Sequence, residues 1–231
     1  MTERSDMADK PKLARKLVSL ILLIMVLYGI FFFIPAWTFD YWQAWMYLIL
    51  LILMMTAMSV FLLVTDPELL ARRMQFSERR KLQKRLIAWS YLLFVLIFIL
   101  PGFDRRFGWS HLPPAVSIIA ELLVVLAYGI VALVFCENSY TSRIVEVAQG
   151  QKVIDTGPYA IVRHPMYVGV LLMYTVTPLA LGSWLAFLVA LLMIPVIVIR
   201  IKDEEKTLLE ELPGYREYTQ KVKYRLIPEI W

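Results

Sequence analysis

Four stretches of this chain, residues 17–36, 44–64, 86–103 and 166–199, contain no Asp, Glu, Lys or Arg, and a fifth, 115–135, contains only Glu121. An apolar helical run of about 18 residues or more is long enough to cross a bilayer core of about 30 Å. A chain that gathers its charges so strictly between such runs is expected to be all-α, polytopic and integral to a membrane. Composition agrees: 60% of the residues are hydrophobic and 19% charged, whereas a soluble domain is closer to half and a quarter.

The last run has 34 residues, which as one helix would extend roughly 50 Å. That is too long for one crossing. Gly182-Ser183 is the place to fold it into a hairpin, with Pro178 and Pro195 kinking the two arms. About six membrane segments result, the last two forming a C-terminal helical hairpin. Of the 24 Lys and Arg, 22 lie at the termini or in alternate loops, and Arg105 and Arg106 alone lie on the other side. Cations mark the cytoplasmic side, so both termini are expected inside. Trp37, Tyr41, Trp42 and Trp45 would then form an aromatic belt at the opposite interface.

The net charge of +5 raises nucleic acid as a partner. Juxtamembrane cations facing anionic membrane lipids account for it better. A signal peptide is not expected, because the first apolar run is too long and lacks a small-x-small site after it. Cys136 is alone, so no intrachain disulfide forms, and it reads as a small buried hydrophobe. Residues 1–136 read as anchor helices, with "RRMQFSERRKLQKR" as a surface helix on anionic lipid. Residues 137–231 divide into a polar loop (137–165), the hairpin (166–199) and a polar tail (200–231). An even number of crossings returns the chain to one membrane face, so loop and tail become neighbours.

Three stretches carry the candidate chemistry. In "GPYAIVRHPMYVG" (157–169) a turn leads into a helix start, where Pro165 costs nothing because its missing N–H would be unpaired anyway. A turn and a helix N-terminus explain the prolines. They leave Tyr159, His164 and Tyr167 sharing a terminus whose backbone N–H groups suit a carboxylate or phosphate. In "RIKDEEKTLLEEL" (200–212) Arg200 and Glu204 share a helical face just where the chain leaves the membrane. Arg200 reads either as a snorkelling side chain with a surface pair or as a fork for a carboxylate on a lipid-like molecule. "LPGYREYTQKVKYRLIP" (212–228) reads as an interfacial helix or as a lid.

Together these stretches resemble the isoprenylcysteine carboxyl methyltransferase family, within a wider set of membrane methyltransferases that includes phospholipid N-methyltransferases. The matching residues are "NSYTSRIVEVAQGQKVIDTGPYAIVRHPMYVGVLL" (138–172) and "RIKDEEKTLLEELPGYREYTQKVKYRLIP" (200–228). The resemblance implies S-adenosylmethionine as cofactor, held at the cytoplasmic face by Gln151, Lys152, Val153, Ile154, Tyr159, His164, Pro165, Met166 and Tyr167. It implies Arg200 and Glu204 as the catalytic pair on the substrate side, and no metal. The family often carries a Gln upstream of this turn, for which Gln149 is the available match. The first hundred residues carry none of these motifs.

A lipophilic or prenylated acceptor arriving from the bilayer fits such a site. A carboxylate acceptor, with a pKa near 4, is already ionised at pH 7 and needs only an orienting cation. An amine needs a base first, for which Glu204 and Glu205 are the candidates, and a thiol lies between. A transporter would place ionisable groups at mid-membrane, where Glu121 alone qualifies. A nicotinamide-dependent reductase has no Gly-x-Gly-x-x-Gly turn to support it here.

Overall fold

The computed structural model of the chain describes residues 2–73, 81–141 and 150–231. The described residues form helices and contain no strand. α1 (Thr2–Ala36) and α2 (Trp42–Thr65) are joined by a short turn, and α3 (Pro67–Arg73) caps the end of α2. α4 (Lys81–Phe107) and α5 (Pro114–Glu137) follow. A 3₁₀ turn (Gly157–Ala160) then leads into α6 (Pro165–Ala180), α7 (Trp184–Ala190), α8 (Met193–Glu211) and α9 (Tyr215–Lys221). The middle of the proposed surface helix "RRMQFSERRKLQKR" and Gln149 lie outside the described residues.

Five helical spans are long and apolar enough to cross a membrane: Pro11–Ala36, Trp42–Thr65, Arg85–Phe107, Pro114–Glu137 and Trp184–Glu211. The remaining apolar helix, Pro165–Ala180, has 16 residues. At about 1.5 Å per residue it reaches roughly 24 Å, less than a full hydrocarbon core. The hairpin turns where expected. Gly182 adopts φ +81°, and Ser183 Oγ accepts from the Ala186 N–H at 3.1 Å as the N-cap of α7. Pro195 acts differently from a simple kink. Having no N–H to give Leu191, it leaves the helix interrupted at Leu191–Leu192, where the Leu191 carbonyl accepts from Ile194 instead (3.1 Å). Pro195 itself sits in the first turn of α8, where it is tolerated.

The core lies between these helices and is built on Phe32, Tyr47, Ile97, Val124, Leu181 and Met193, all nearly inaccessible. Two glycines set how closely helices approach. A Cβ on Gly102 would lie 2.8 Å from the Phe32 carbonyl oxygen of α1, and one on Gly169 would lie 2.8 Å from the Ala127 carbonyl oxygen of α5. α4 therefore lies against α1, and α6 against α5, with backbone touching backbone.

Polar side chains pin the hairpin turn to the loops beside it. The buried Asp104 accepts from Ser183 and from Ser110 (2.6 Å), and Ser117 donates to the Leu179 carbonyl at 3.1 Å. Tyr41 is 1% exposed and donates to the Leu181 carbonyl at 2.5 Å. It is thus a core residue, while Trp37, Trp42 and Trp45 are exposed as a belt requires. Cys136, expected to be buried, is exposed on α5, because the buried face of that helix passes through Val131 and Val134 instead. Glu121 is 2% exposed, and neither of its carboxylate oxygens has a hydrogen-bond partner among the described residues.

Candidate active site

One cavity of about 730 Å³ opens where the 150–167 segment, α8 and α9 meet, within the size range of small-molecule sites. Every residue assigned to the cofactor or to the catalytic pair by the resemblance lines it, whereas Glu205, the other candidate base, does not. Gln151, Lys152, Val153, Ile154 and Tyr159 come from the loop and 3₁₀ turn, His164, Pro165, Met166 and Tyr167 from the start of α6, and Arg200 and Glu204 from α8. His164 and Arg200, 36 positions apart, border a common space because the α6–α7 hairpin turns the chain back on itself.

Tyr167 joins the predicted catalytic pair. Arg200 Nε donates to Tyr167 Oη at 2.8 Å, and Tyr167 Oη donates to Glu204 Oε2 at 2.6 Å. The i, i+4 spacing of Arg200 and Glu204 therefore works through a phenol from the facing helix. A guanidinium, a hydroxyl and a carboxylate are held in one fixed chain on the cavity wall.

Beside this chain lies a buried ionic hub for which no local sequence pattern prepares. Glu205 is 5% exposed, and its two oxygens face three partners: Arg163 Nε at 2.7 Å, His164 Nε2 at 3.3 Å and Arg225 Nε at 2.6 Å. Arg163 Nη1 also donates to the carbonyls of Val222 and Lys223, both at 2.8 Å. Backbone bonds extend the same contact: the Arg163 N–H reaches the Tyr224 carbonyl (2.9 Å) and the His164 N–H the Arg225 carbonyl (3.0 Å). The tail is thus strapped across the start of α6. This changes the expected anion site at that helix terminus. The His164 N–H is taken by the tail, the Tyr167 N–H bonds the His164 carbonyl, and Pro165 has none.

α9 closes the cavity from the tail side. Tyr218 Oη donates to the Tyr159 carbonyl at 2.7 Å, and Lys221 pairs with Asp155 at 2.7 Å on the exposed rim. Tyr159 Oη accepts from Asn138 Nδ2 at 3.0 Å. Burial pushes the Tyr159 phenol up to about 12, so it stays protonated at neutral pH. Tyr215 and Tyr218 line the cavity, and the sequence reading did not single them out as site residues.

The first half of the chain adds a mostly apolar part of the lining, beside Arg73, Ser90 and Tyr91. Leu20, Ile24 and Leu27 of α1, with Ile87 and Phe94 of α4, line the same cavity. Their spacing puts them on one helical face, yet in a helix that is apolar all round nothing distinguishes that face from one meeting lipid.

Residues 115–216 match the phospholipid methyltransferase family. The family lies in the wider set of membrane methyltransferases that the motifs resemble. The match runs from α5 to the start of α9 and so takes in Lys152, Arg200 and Glu204 of the cavity lining, while α1 to α4 fall outside it. With the five long apolar spans, the phospholipid methyltransferase match points to a membrane methyltransferase, a family whose members typically use S-adenosylmethionine. No curated protein sequence matches the chain.

Proposed function

We propose that the chain is an S-adenosylmethionine-dependent methyltransferase of the membrane, acting on the carboxylate of an isoprenylcysteine-like or other lipophilic molecule. The observation that carries this reading is the mixed lining of the cavity, charged at Lys152, Arg200 and Glu204 and apolar at Leu20, Ile24, Leu27, Ile87 and Phe94. A water-soluble donor and a lipid-borne acceptor partition into different solvents, and a chamber lined by side chains of both kinds lets them meet.

The residues present fit the cofactor. An amino-acid zwitterion with a nucleoside calls for both charge signs and for flat apolar surface. The wall offers Lys152 and Glu204 as charges of opposite sign, and the rings of Tyr159, Tyr215 and Tyr218. The buried Tyr215 hydroxyl, with no partner among the described residues, marks a place for a ligand atom. Gln151, Lys152, Val153, Ile154, Tyr159, His164, Pro165, Met166 and Tyr167 would hold S-adenosylmethionine, which when bound supplies a methyl group on a sulfonium cation. Arg200, steadied by Tyr167, orients the acceptor carboxylate, which needs no base at pH 7. Glu204 fixes Tyr167 and faces the cation side of the chamber. Positioning of this kind can supply much of the rate acceleration of a displacement.

In this reading residues 137–231 are the methyltransferase region. Residues 1–136 are anchor helices that also provide, through α1 and α4, the wall for the acceptor's chain. The distribution of cations supports a cytoplasmic active-site face with both termini inside.

A second reading, transfer to a phospholipid amine, is favoured by the family matched. An amine must lose a proton first. Glu205 is engaged by three partners, so that role would fall to Glu204. The two readings separate in one experiment. Membranes containing the protein receive S-adenosylmethionine carrying a labelled methyl group, and the extracted lipophilic product is treated with base. A carboxyl ester releases labelled methanol; a base-stable product moves the assignment to an amine or a thiol; no labelled product and no binding of the methyl donor would remove all of these.

A further inference from the structure

Among the buried side-chain atoms that lack a hydrogen-bond partner within the described residues are oxygens of Gln43, Gln83, Glu121 and Tyr215. Of these four residues, Tyr215 alone lines the cavity. It opens α9 directly after Gly214, which takes φ +84°, a backbone state that glycine adopts without strain. The side chain is 4% exposed and packs with Leu212, Tyr218 and Val222 against Val153 and Leu208. Its neighbour Tyr218 has the opposite character, since its hydroxyl is used inside the protein on the Tyr159 carbonyl.

A buried hydroxyl without a partner is a net cost to the fold, because it gave up water and received nothing in exchange. A phenylalanine would fill the same space without that cost. The hydroxyl is also in a form ready to donate. Burial, with the nearby Glu205 and Glu204 carboxylates, pushes the Tyr215 phenol well up, so it keeps its proton at any physiological pH. The surroundings indicate which part of a ligand it meets. The patch packed around its ring is apolar and aromatic (Val153, Leu208, Leu212, Tyr218), the kind of surface on which a flat base packs.

We propose that Tyr215 is a ligand-binding residue whose hydroxyl hydrogen-bonds the nucleoside half of S-adenosylmethionine. This rests on the reading of the cavity as a methyl-donor site. It adds a residue that the sequence motifs did not assign, and it sets the specificity of that end of the site for a nucleoside with a polar edge.

The test uses the full-length protein in detergent micelles, with two variants and two measurements. Tyr215→Phe without ligand should melt at or above the wild-type temperature, since only an unpaired hydroxyl is removed. Tyr218→Phe should melt lower, because it strips the Tyr159 carbonyl of its donor. In calorimetric titrations Tyr215→Phe should bind S-adenosylhomocysteine and methylthioadenosine about fivefold to tenfold more weakly than wild type, as the loss of one hydrogen bond implies. Methylthioadenosine lacks the amino-acid end, so an equal penalty for both ligands locates the contact on the nucleoside half. Tyr215→Phe binding both ligands as wild type does, or losing only S-adenosylhomocysteine affinity, would overturn the inference, as would a lowered melting temperature of the unliganded variant. Wild-type protein that binds neither ligand would instead fail the methyl-donor reading itself.

Discussion

Replacing Glu205 by Gln tests how the tail is held over the cavity. The substitution keeps the shape of the side chain and removes its charge. Arg163, whose side chain is 6% exposed, then has no anion facing Nε at 2.7 Å, and Arg225 loses a partner at 2.6 Å. Removing one member of a buried ion pair typically costs about 3–5 kcal/mol, because the other charge stays buried and uncompensated. Two features reduce the figure here. Arg163 keeps its bonds to the Val222 and Lys223 carbonyls, and the Arg225 side chain is 34% exposed and can reach water. A loss of about 3 kcal/mol is the reasoned value, on the order of 6–12 °C in melting temperature by the scaling for domains of this size. The assay is a thermal melt of the full chain in micelles, followed by intrinsic tryptophan fluorescence, for Glu205→Gln, Arg163→Met and the double variant. The double variant should be less destabilised than the sum of the singles, since neither charge is then left alone. A Glu205→Gln melt within a degree of wild type, or strict additivity, would refute the hub as the fastening of the tail.

Arg200→Ala is expected to abolish turnover while leaving affinity for the methyl donor nearly intact, and Tyr167→Phe should lower kcat by breaking the chain between Arg200 and Glu204; steady-state kinetics with titrations check both. Ile24→Trp adds bulk to the apolar part of the lining and should raise KM for long-chain acceptors more than for short ones, with donor binding unchanged. In Tyr159, burial raises the phenol from the usual value near 10 to about 12. The protonated form is therefore favoured in the folded state, and this contribution to stability is complete below about pH 10 and fades as pH rises toward about 12. Melting temperatures from pH 6 to 9 should show no step from this residue, and Tyr159→Phe should flatten part of the alkaline decline.

Much of the architecture was legible because charge exclusion from a bilayer is a strong and local rule. The long apolar runs, the turn at Gly182-Ser183 and the meeting of His164 with Arg200 all follow from it. What stayed hidden depends on contacts between distant parts of the chain. Glu205 and Glu204 are adjacent acidic residues in an amphipathic helix, and nothing local says that one faces the cavity while the other gathers Arg163, His164 and Arg225. Tyr41 reads as an interfacial aromatic until the Leu181 carbonyl is placed above its hydroxyl. Cys136 looks buried by hydropathy, although an apolar helix in a membrane has no polar face to show which side is inside. The same lack of contrast concealed the part α1 and α4 play in the cavity.

The central claim is that the loop at 151–167, α8 and α9 form one chamber for a methyl donor. Ultraviolet cross-linking with S-adenosylmethionine carrying a labelled methyl group, followed by peptide mapping, addresses it most directly. The label is expected on peptides within 151–167 or 200–218, and excess S-adenosylhomocysteine should prevent it. Label confined to α2 or to the Arg105–Trp109 side of the bundle, or incorporation that S-adenosylhomocysteine does not reduce, would contradict the account.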